Sequence, residues 1–224
     1  MIGWDRIDRF RLAMLHRLRD AHIIDDYYLS GGTALALHLG HRFSLDLDFF
    51  SRTSRSTIPT NAIIQKCQEI CGAVKVRVEI RQKDQVWLDL DGVKTMFLAW
   101  PFRTKYALFN ADGVSIADPR DILAQKAYAI GRRAVARDYV DIACGLRAGV
   151  VSIDSLMRDA EEVFVLNGSC VFDRRMFLQQ LVYTNDLVDR DAAVKALHKA
   201  ATFNEIAKEL RQAVIRSTRK SLAE

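Results

Sequence analysis

The sequence predicts an α+β chain. A mixed β-sheet domain with helices is expected over residues 1–117, followed by an all-helical domain over residues 118–224. Two observations carry this. Short apolar runs with strand period, separated by turn residues, dominate the stretch from Ser44 to Trp100, whereas helical spacing takes over from Pro119 onward. Composition bounds the answer: 224 residues, 50% hydrophobic and 27% charged, leave room for one large domain or two small ones and exclude a largely disordered chain.

The elements follow in order. Trp4, Ile7, Phe10, Met14, Leu15 and Leu18 recur at helical spacing and predict a helix over residues 4–22. Tyr27-Tyr28-Leu29 is a short aromatic run broken by Ser30-Gly31-Gly32, read either as a strand end or as the start of a helix. Thr33 to Leu39 is a short helix with Gly40 as its C-terminal cap. Ser44 to Phe50 alternates as a strand, and a helix is expected from Pro59 to Cys71. Three strands follow over Val74–Arg81, Val86–Leu90 and Val93–Trp100, the last two joined by Asp91-Gly92, a hairpin signal. Pro119, after an Asp cap, opens a helix that runs through Ile130. Further helices fit Asp138–Leu146, Ile153–Phe164, Arg174–Tyr183, Ala192–Lys199 and Phe203–Arg216, and Ser217 to Glu224 is expected to fray.

With 33 Lys+Arg against 28 Asp+Glu the net charge is +5, which permits a polyanionic partner without requiring one. The four cysteines have neither CxxC nor His spacing and are expected as reduced, buried thiols. No apolar run reaches the ~20 residues of a membrane span, and the charged N-terminus reads as no signal peptide, so a cytoplasmic protein without a membrane partner is expected.

The most informative segment is Gly31-Gly32-Thr33 followed, eleven positions on, by Ser44-Leu45-Asp46-Leu47-Asp48. On a strand, Asp46 and Asp48 project to one side and Leu45, Leu47 and Phe49 to the other. Two adjacent carboxylates repel, and an all-oxygen donor set favours Mg²⁺ completed by phosphate oxygens and water. The alternative is a half-exposed strand whose polar face carries two aspartates, although Asp is depleted in strands. Gly31-Gly32 lets the backbone approach a ligand, and the helix after it offers N–H groups and a positive dipole end to phosphate. Ser44 falls on the same face as the aspartates, and Thr33 adds a hydroxyl at the helix start.

Gly31-Gly32-Thr33-Ala34-Leu35-Ala36-Leu37, then His41-Arg42-Phe43-Ser44-Leu45-Asp46-Leu47-Asp48-Phe49-Phe50, resembles the signature of the AbiEii/AbiGii toxin family. That family belongs to the DNA polymerase β-like nucleotidyltransferase superfamily, whose members include mycobacterial toxins that add nucleotides to the tRNA 3′ end. The resemblance extends through Gly92-Val93-Lys94 and residues 122–142, and covers residues 27–146 in outline.

A second block is Gln125-Lys126-Ala127 followed by Arg137-Asp138-Tyr139-Val140-Asp141. In one straight helix Lys126 and Asp141 would stand about 22 Å apart. Gly131 and the run Arg132–Ala136 instead predict a turn between antiparallel helices, which brings the two side chains level. Asp138 is expected to cap the second helix or to pair with Arg137 or Arg133. The resemblance implies that Lys126 contacts nucleotide phosphate, neutralising the leaving pyrophosphate, and that Asp141 is needed for activity, either orienting the attacking hydroxyl or accepting its proton.

Together the resemblance implies a nucleotidyltransferase-like N-terminal domain and a helical domain closing the nucleotide cleft. The implied reaction is Mg²⁺-dependent transfer from an NTP to RNA, the tRNA 3′ end. Asp46 and Asp48 would hold the metal, Asp46, Asp48, Lys126 and Asp141 would be catalytic, and Gly31, Gly32, Thr33, Ser44 and Lys126 would bind the nucleotide. It also implies a winged-helix antitoxin encoded nearby. The same features fit an enzyme modifying a small molecule such as an antibiotic, and a nucleotide-binding protein that kept the fold without turnover. One departure stands out: the strand expected to carry a third carboxylate reads Val93-Lys94-Thr95-Met96-Phe97, without an acid, leaving Glu79 and Asp89 as alternatives.

Overall fold

The computed structural model describes residues 2–221 and divides into two compact units, Met1–Asp118 and Pro119–Glu224. The first holds a seven-stranded mixed sheet. Its strands are β1 (Tyr27–Ser30), β2 (Leu47–Ser51), β3 (Val76–Arg81), β4 (Gln85–Leu90), β5 (Val93–Leu98), β6 (Phe109–Ala111) and β7 (Val114–Ile116). They lie in the order β3-β4-β5-β2-β1-β7-β6. The unit's helices are α1 (Arg9–Asp20), α2 (Gly31–Leu39) and α3 (Thr60–Cys71).

The predicted first helix is split. A 3-10 turn at Trp4–Arg6 precedes α1, because the Asp8 side chain accepts from the N–H groups of Phe10 and Arg11 and starts the helix there. Arg6 donates to the carbonyls of Leu37 and His38, both at 2.9 Å, and so closes the end of α2, where Gly40 takes the left-handed conformation at φ +60°. α1 and α3 pack on one face of the sheet, over Phe49, Phe97 and Val86, which lie side by side in register and are fully buried.

The opposite face carries a different row. Ser30, Asp48, Met96, Trp87 and Ile80 are successive register partners across β1, β2, β5, β4 and β3. The β4–β5 turn has the expected geometry, Asp91 and Gly92 both at positive φ. The β6–β7 hairpin was not predicted. Its Asp112-Gly113 turn, also at positive φ, carries the same signal, but the strands are only three residues each and β7 is fixed by a long-range parallel pairing with β1.

The second unit contains α4 (Pro119–Ala129), α5 (Ala136–Arg147), α6 (Ile153–Val163), α7 (Arg174–Val182), α8 (Arg190–Lys195) and α9 (Phe203–Ser221). It is not purely helical. A ribbon of β8 (Val165–Leu166) and β9 (Ser169–Cys170) turns at Asn167-Gly168, both at positive φ, the dipeptide suited to a two-residue hairpin. α9 also continues past the expected fraying point: Ser217 is buried and its hydroxyl donates to Asp154. Residues 222–224 of the expected frayed tail lie outside the described residues. Three of the four cysteines are buried as expected, but Cys170, on the two-stranded ribbon, is exposed. Among the described residues no helix is long and apolar enough to cross a membrane.

Candidate functional site

In the first unit the chain leaves β1 at Ser30 and turns directly into α2. Gly31 makes that turn at φ +64°, a conformation that a side chain would strain. A Cβ there would collide with Asp48 Oδ2 and stand 2.9 Å from its Cγ, so the absent side chain is what admits the carboxylate to the helix start. Gly32 is crowded in the same way. A Cβ on it would collide with Arg42 Nη2 and lie 3.0 Å from Ser44 Oγ. Gly31 is therefore required by close approach and by backbone conformation, Gly32 by close approach alone.

The return segment, 42–46, belongs to no strand beyond an isolated bridge at Arg42, and β2 begins only at Leu47 rather than at Ser44. Its alternation is nevertheless real. Arg42 and Ser44 are buried, while Phe43 and Leu45 are 62% and 56% exposed. Leu45, expected to face the core with Leu47 and Phe49, is thus a correction: the core under the sheet starts with the first hydrogen-bonded residue of the strand, Leu47. Two contacts hold the segment. Thr33 Oγ1 donates to the Asp46 carbonyl at 2.5 Å, and Arg11 Nε donates to the Leu45 carbonyl at 2.5 Å. With its single hydroxyl proton committed to Asp46, Thr33 has its backbone N–H left to offer a ligand.

Gly31, Gly32, Thr33, Ser44, Asp46 and Asp48 thus gather at one corner of the sheet, where the unbonded N–H groups of a helix start meet two half-buried carboxylates. Arg42 joins them and was missed as a site residue. It is 2% exposed, donates to the Phe43 carbonyl at 2.9 Å and lies across Gly32. Its position two residues before Ser44 in the alternating run was the available signal.

No cluster of three or more potential metal ligands occurs among the described residues. β5 lies beside β2 and presents Met96, not an acid, to Asp48. Asp89 bonds the Gly92 N–H at 2.7 Å and Arg77 at 3.1 Å, and Glu79 also bonds Arg77 at 3.2 Å, so these two alternatives serve the β3–β5 strands themselves. Two carboxylates beside a phosphate-type corner fit Mg²⁺, which is commonly held by one or two carboxylates and completes its shell with substrate oxygens.

In the second unit, Gly131 at φ +88° and the residues after it turn α4 back along α5. The helices approach closely at Gly145, where a Cβ would come within 2.5 Å of the Leu123 side chain. Lys126 and Asp141 are level as predicted, Nζ to Oδ2 2.7 Å. Asp138 bonds the same ammonium at 3.0 Å and also Arg133, a partner the sequence had offered. Lys126 is 6% exposed and Asp141 is fully buried. A buried carboxylate in direct contact with the ammonium acts through it, fixing its position and charge. Arg132 stacks over the Tyr128 ring at 3.8 Å and donates to the carbonyls of Tyr128 and Val171, a role internal to this unit.

Comparison with known proteins gives the family and the fold. A protein of Aquifex aeolicus (strain VF5) described as "Uncharacterized protein aq_aa25" is 34% identical over 134 residues, 57% of this chain and 61% of that relative, so the match spans about three-fifths of its length. The fold is similar to that of JHP933 from Helicobacter pylori, at TM-score 0.53 and 18% identity with both chains covered completely. It is also similar to MenT4, a nucleotidyltransferase toxin from Mycobacterium tuberculosis H37Rv, at TM-score 0.56 and 15% identity, covering 89% of this chain and 82% of that one. Residues 13–220 match the family described as "Nucleotidyl transferase AbiEii toxin, Type IV TA system", and the chain belongs to that family of nucleotidyltransferase toxins.

Proposed function

We propose that this protein transfers a nucleotide from an NTP to the 3′ end of an RNA, a tRNA, and acts as the toxin of a type IV toxin–antitoxin pair. The observation that carries the reading is the corner where Asp46 and Asp48 meet the glycine-opened start of α2. Asp46 and Asp48 would hold Mg²⁺, which when bound supplies positive charge to the triphosphate. The N–H groups of Gly31, Gly32 and Thr33 and the hydroxyl of Ser44 receive phosphate oxygens. Arg42 holds the segment that carries Ser44 and Asp46 against that helix start.

In the second unit, Lys126 is the group that neutralises charge on the departing pyrophosphate, with Asp141 and Asp138 holding the ammonium in place. The protein's contribution is positioning and charge stabilisation, as in phosphoryl transfer generally. The net charge of +5 suits an RNA acceptor, and a winged-helix antitoxin encoded nearby is the expected antagonist.

The test is incubation with each labelled NTP, Mg²⁺ and total tRNA over a salt series. Label at the tRNA 3′ end, falling steeply with ionic strength, supports the reading because phosphate contacts release counterions. Label on a small hydroxylated acceptor alone, with tRNA untouched at low salt, overturns the RNA assignment. No transfer from any NTP overturns the activity.

A further inference from the structure

The row of register partners that contains Asp48 does not end at the carboxylates. It continues over Met96 and Trp87 to Ile80, on the sheet face opposite α1 and α3. Met96 and Ile80 are half-buried and Trp87 is 40% exposed. The indole is also oriented: Nε1 donates to Gln85 Oε1 at 2.7 Å. With strands roughly 4.8 Å apart, Trp87 stands about 10 Å from Asp48 across β5.

The direction matters. Gly31, Gly32 and Ser44 lie on the β1 side of the carboxylates, and Trp87 lies on the β4 side. In a phosphoryl transfer the attacking and leaving oxygens are roughly in line. If the pyrophosphate departs toward the start of α2, the attacking hydroxyl arrives from the side of β5 and β4. Lys94 precedes Thr95, the register partner of Leu47, and stands opposite Asp89 of β4; its side chain is exposed and has no hydrogen bond or ion pair among the described residues. An exposed aromatic side chain with a cation on the adjacent strand is the kind of arrangement that holds single-stranded nucleic acid, bases stacking and phosphates meeting charge.

We propose that Trp87 is the platform on which an unpaired base of the RNA acceptor stacks, with Lys94 meeting the backbone phosphate, so that the strand end is delivered to Asp46 and Asp48. This rests on the RNA-transfer reading above and adds the acceptor's path. Trp87→Ala is expected to raise the KM for tRNA about tenfold while the KM for NTP stays unchanged, and Trp87→Phe should recover most of the loss. Independently of turnover, a short single-stranded RNA should quench the tryptophan emission of the full chain without NTP, and Trp87→Phe should remove that quenching. An unchanged KM for tRNA in Trp87→Ala, or a loss confined to the KM for NTP, overturns the proposal even if wild-type transfer to tRNA is intact. If the wild type transfers nothing to RNA, absence of quenching overturns it on its own. Quenching by the antitoxin but not by RNA also overturns it, identifying the face as a protein interface.

Discussion

The Asp48 carboxylate occupies the space that a side chain on Gly31 would fill, its Cγ 2.9 Å from where that Cβ would stand. One residue's chemistry therefore depends on another's lack of a side chain. Gly31→Ala is expected to cost about 1–2 kcal/mol from left-handed strain and to displace Asp48. Nucleotide transfer should fall at least a hundredfold while urea melts remain cooperative. Near-wild-type transfer in this variant would show that Asp48 need not sit at the helix start.

Asp46→Asn and Asp48→Asn should each reduce transfer by about 10³-fold, since metal-borne charge stabilisation is worth several kcal/mol. Both side chains are half-exposed, so stability should stay within about 0.5 kcal/mol of wild type. Rapid-quench transfer and chemical denaturation measure the two effects separately.

Lys126 compensates two buried carboxylates, at 2.7 Å and 3.0 Å. Lys126→Ala should lower stability by about 3–5 kcal/mol, as well as abolishing transfer. Replacing the pair together, Lys126→Met with Asp141→Leu, should restore much of the stability and none of the activity. Denaturant titration of both variants checks this, and recovered transfer in the double variant would remove the ion pair from the chemistry.

His38 bonds the Ala117 carbonyl at 2.9 Å at the end of α2, and burial lowers its pKa below the usual 6.5. As pH falls through 6.5 the unfolded chain takes up the proton before the folded one, so this group's stability contribution, complete above 6.5, declines below it. His38→Gln should flatten the stability profile on the acid side of pH 6.5, as read by melts across a pH series.

Burial pushes the Cys67 thiol up to about 12 and raises that of Cys71, whereas Cys170 lies exposed on the β8–β9 ribbon. A thiol reagent should modify Cys170 rapidly in the native protein and the remaining cysteines only on unfolding. Mass mapping of the modified peptides decides it, and early labelling of Cys67 would contradict the packing of α3.

The amino-acid sequence alone determined what is encoded within single elements. The alternation from Arg42 to Asp48 specifies which side chains share a side whether or not the residues are hydrogen-bonded, so the aspartates and Ser44 were legible before any strand pairing was known. The Gly31-Gly32 break and the Gly40 cap fixed α2 within two residues. The turn at Gly131 lies midway between Lys126 and Asp141, so helical rise and chain reversal sufficed to bring them level.

Only the tertiary structure decided relationships between distant segments. The start of β2 at Leu47 depends on pairing with β1 and β5, which is why Leu45 lies outside the core despite its place in the pattern. Arg42 reads as a surface cation until α2 returns Gly32 beneath it, and Asp138 reads as a cap until α4 supplies Lys126. β7 is three residues long and is held between a local hairpin partner, β6, and the distant parallel edge of β1. Trp87 is an ordinary strand residue until the β4–β5 and β5–β2 registers set it in line with Asp48. Periodicity reports the face a residue takes within its own element, whereas the neighbour it meets is selected by long-range packing and hydrogen-bond register.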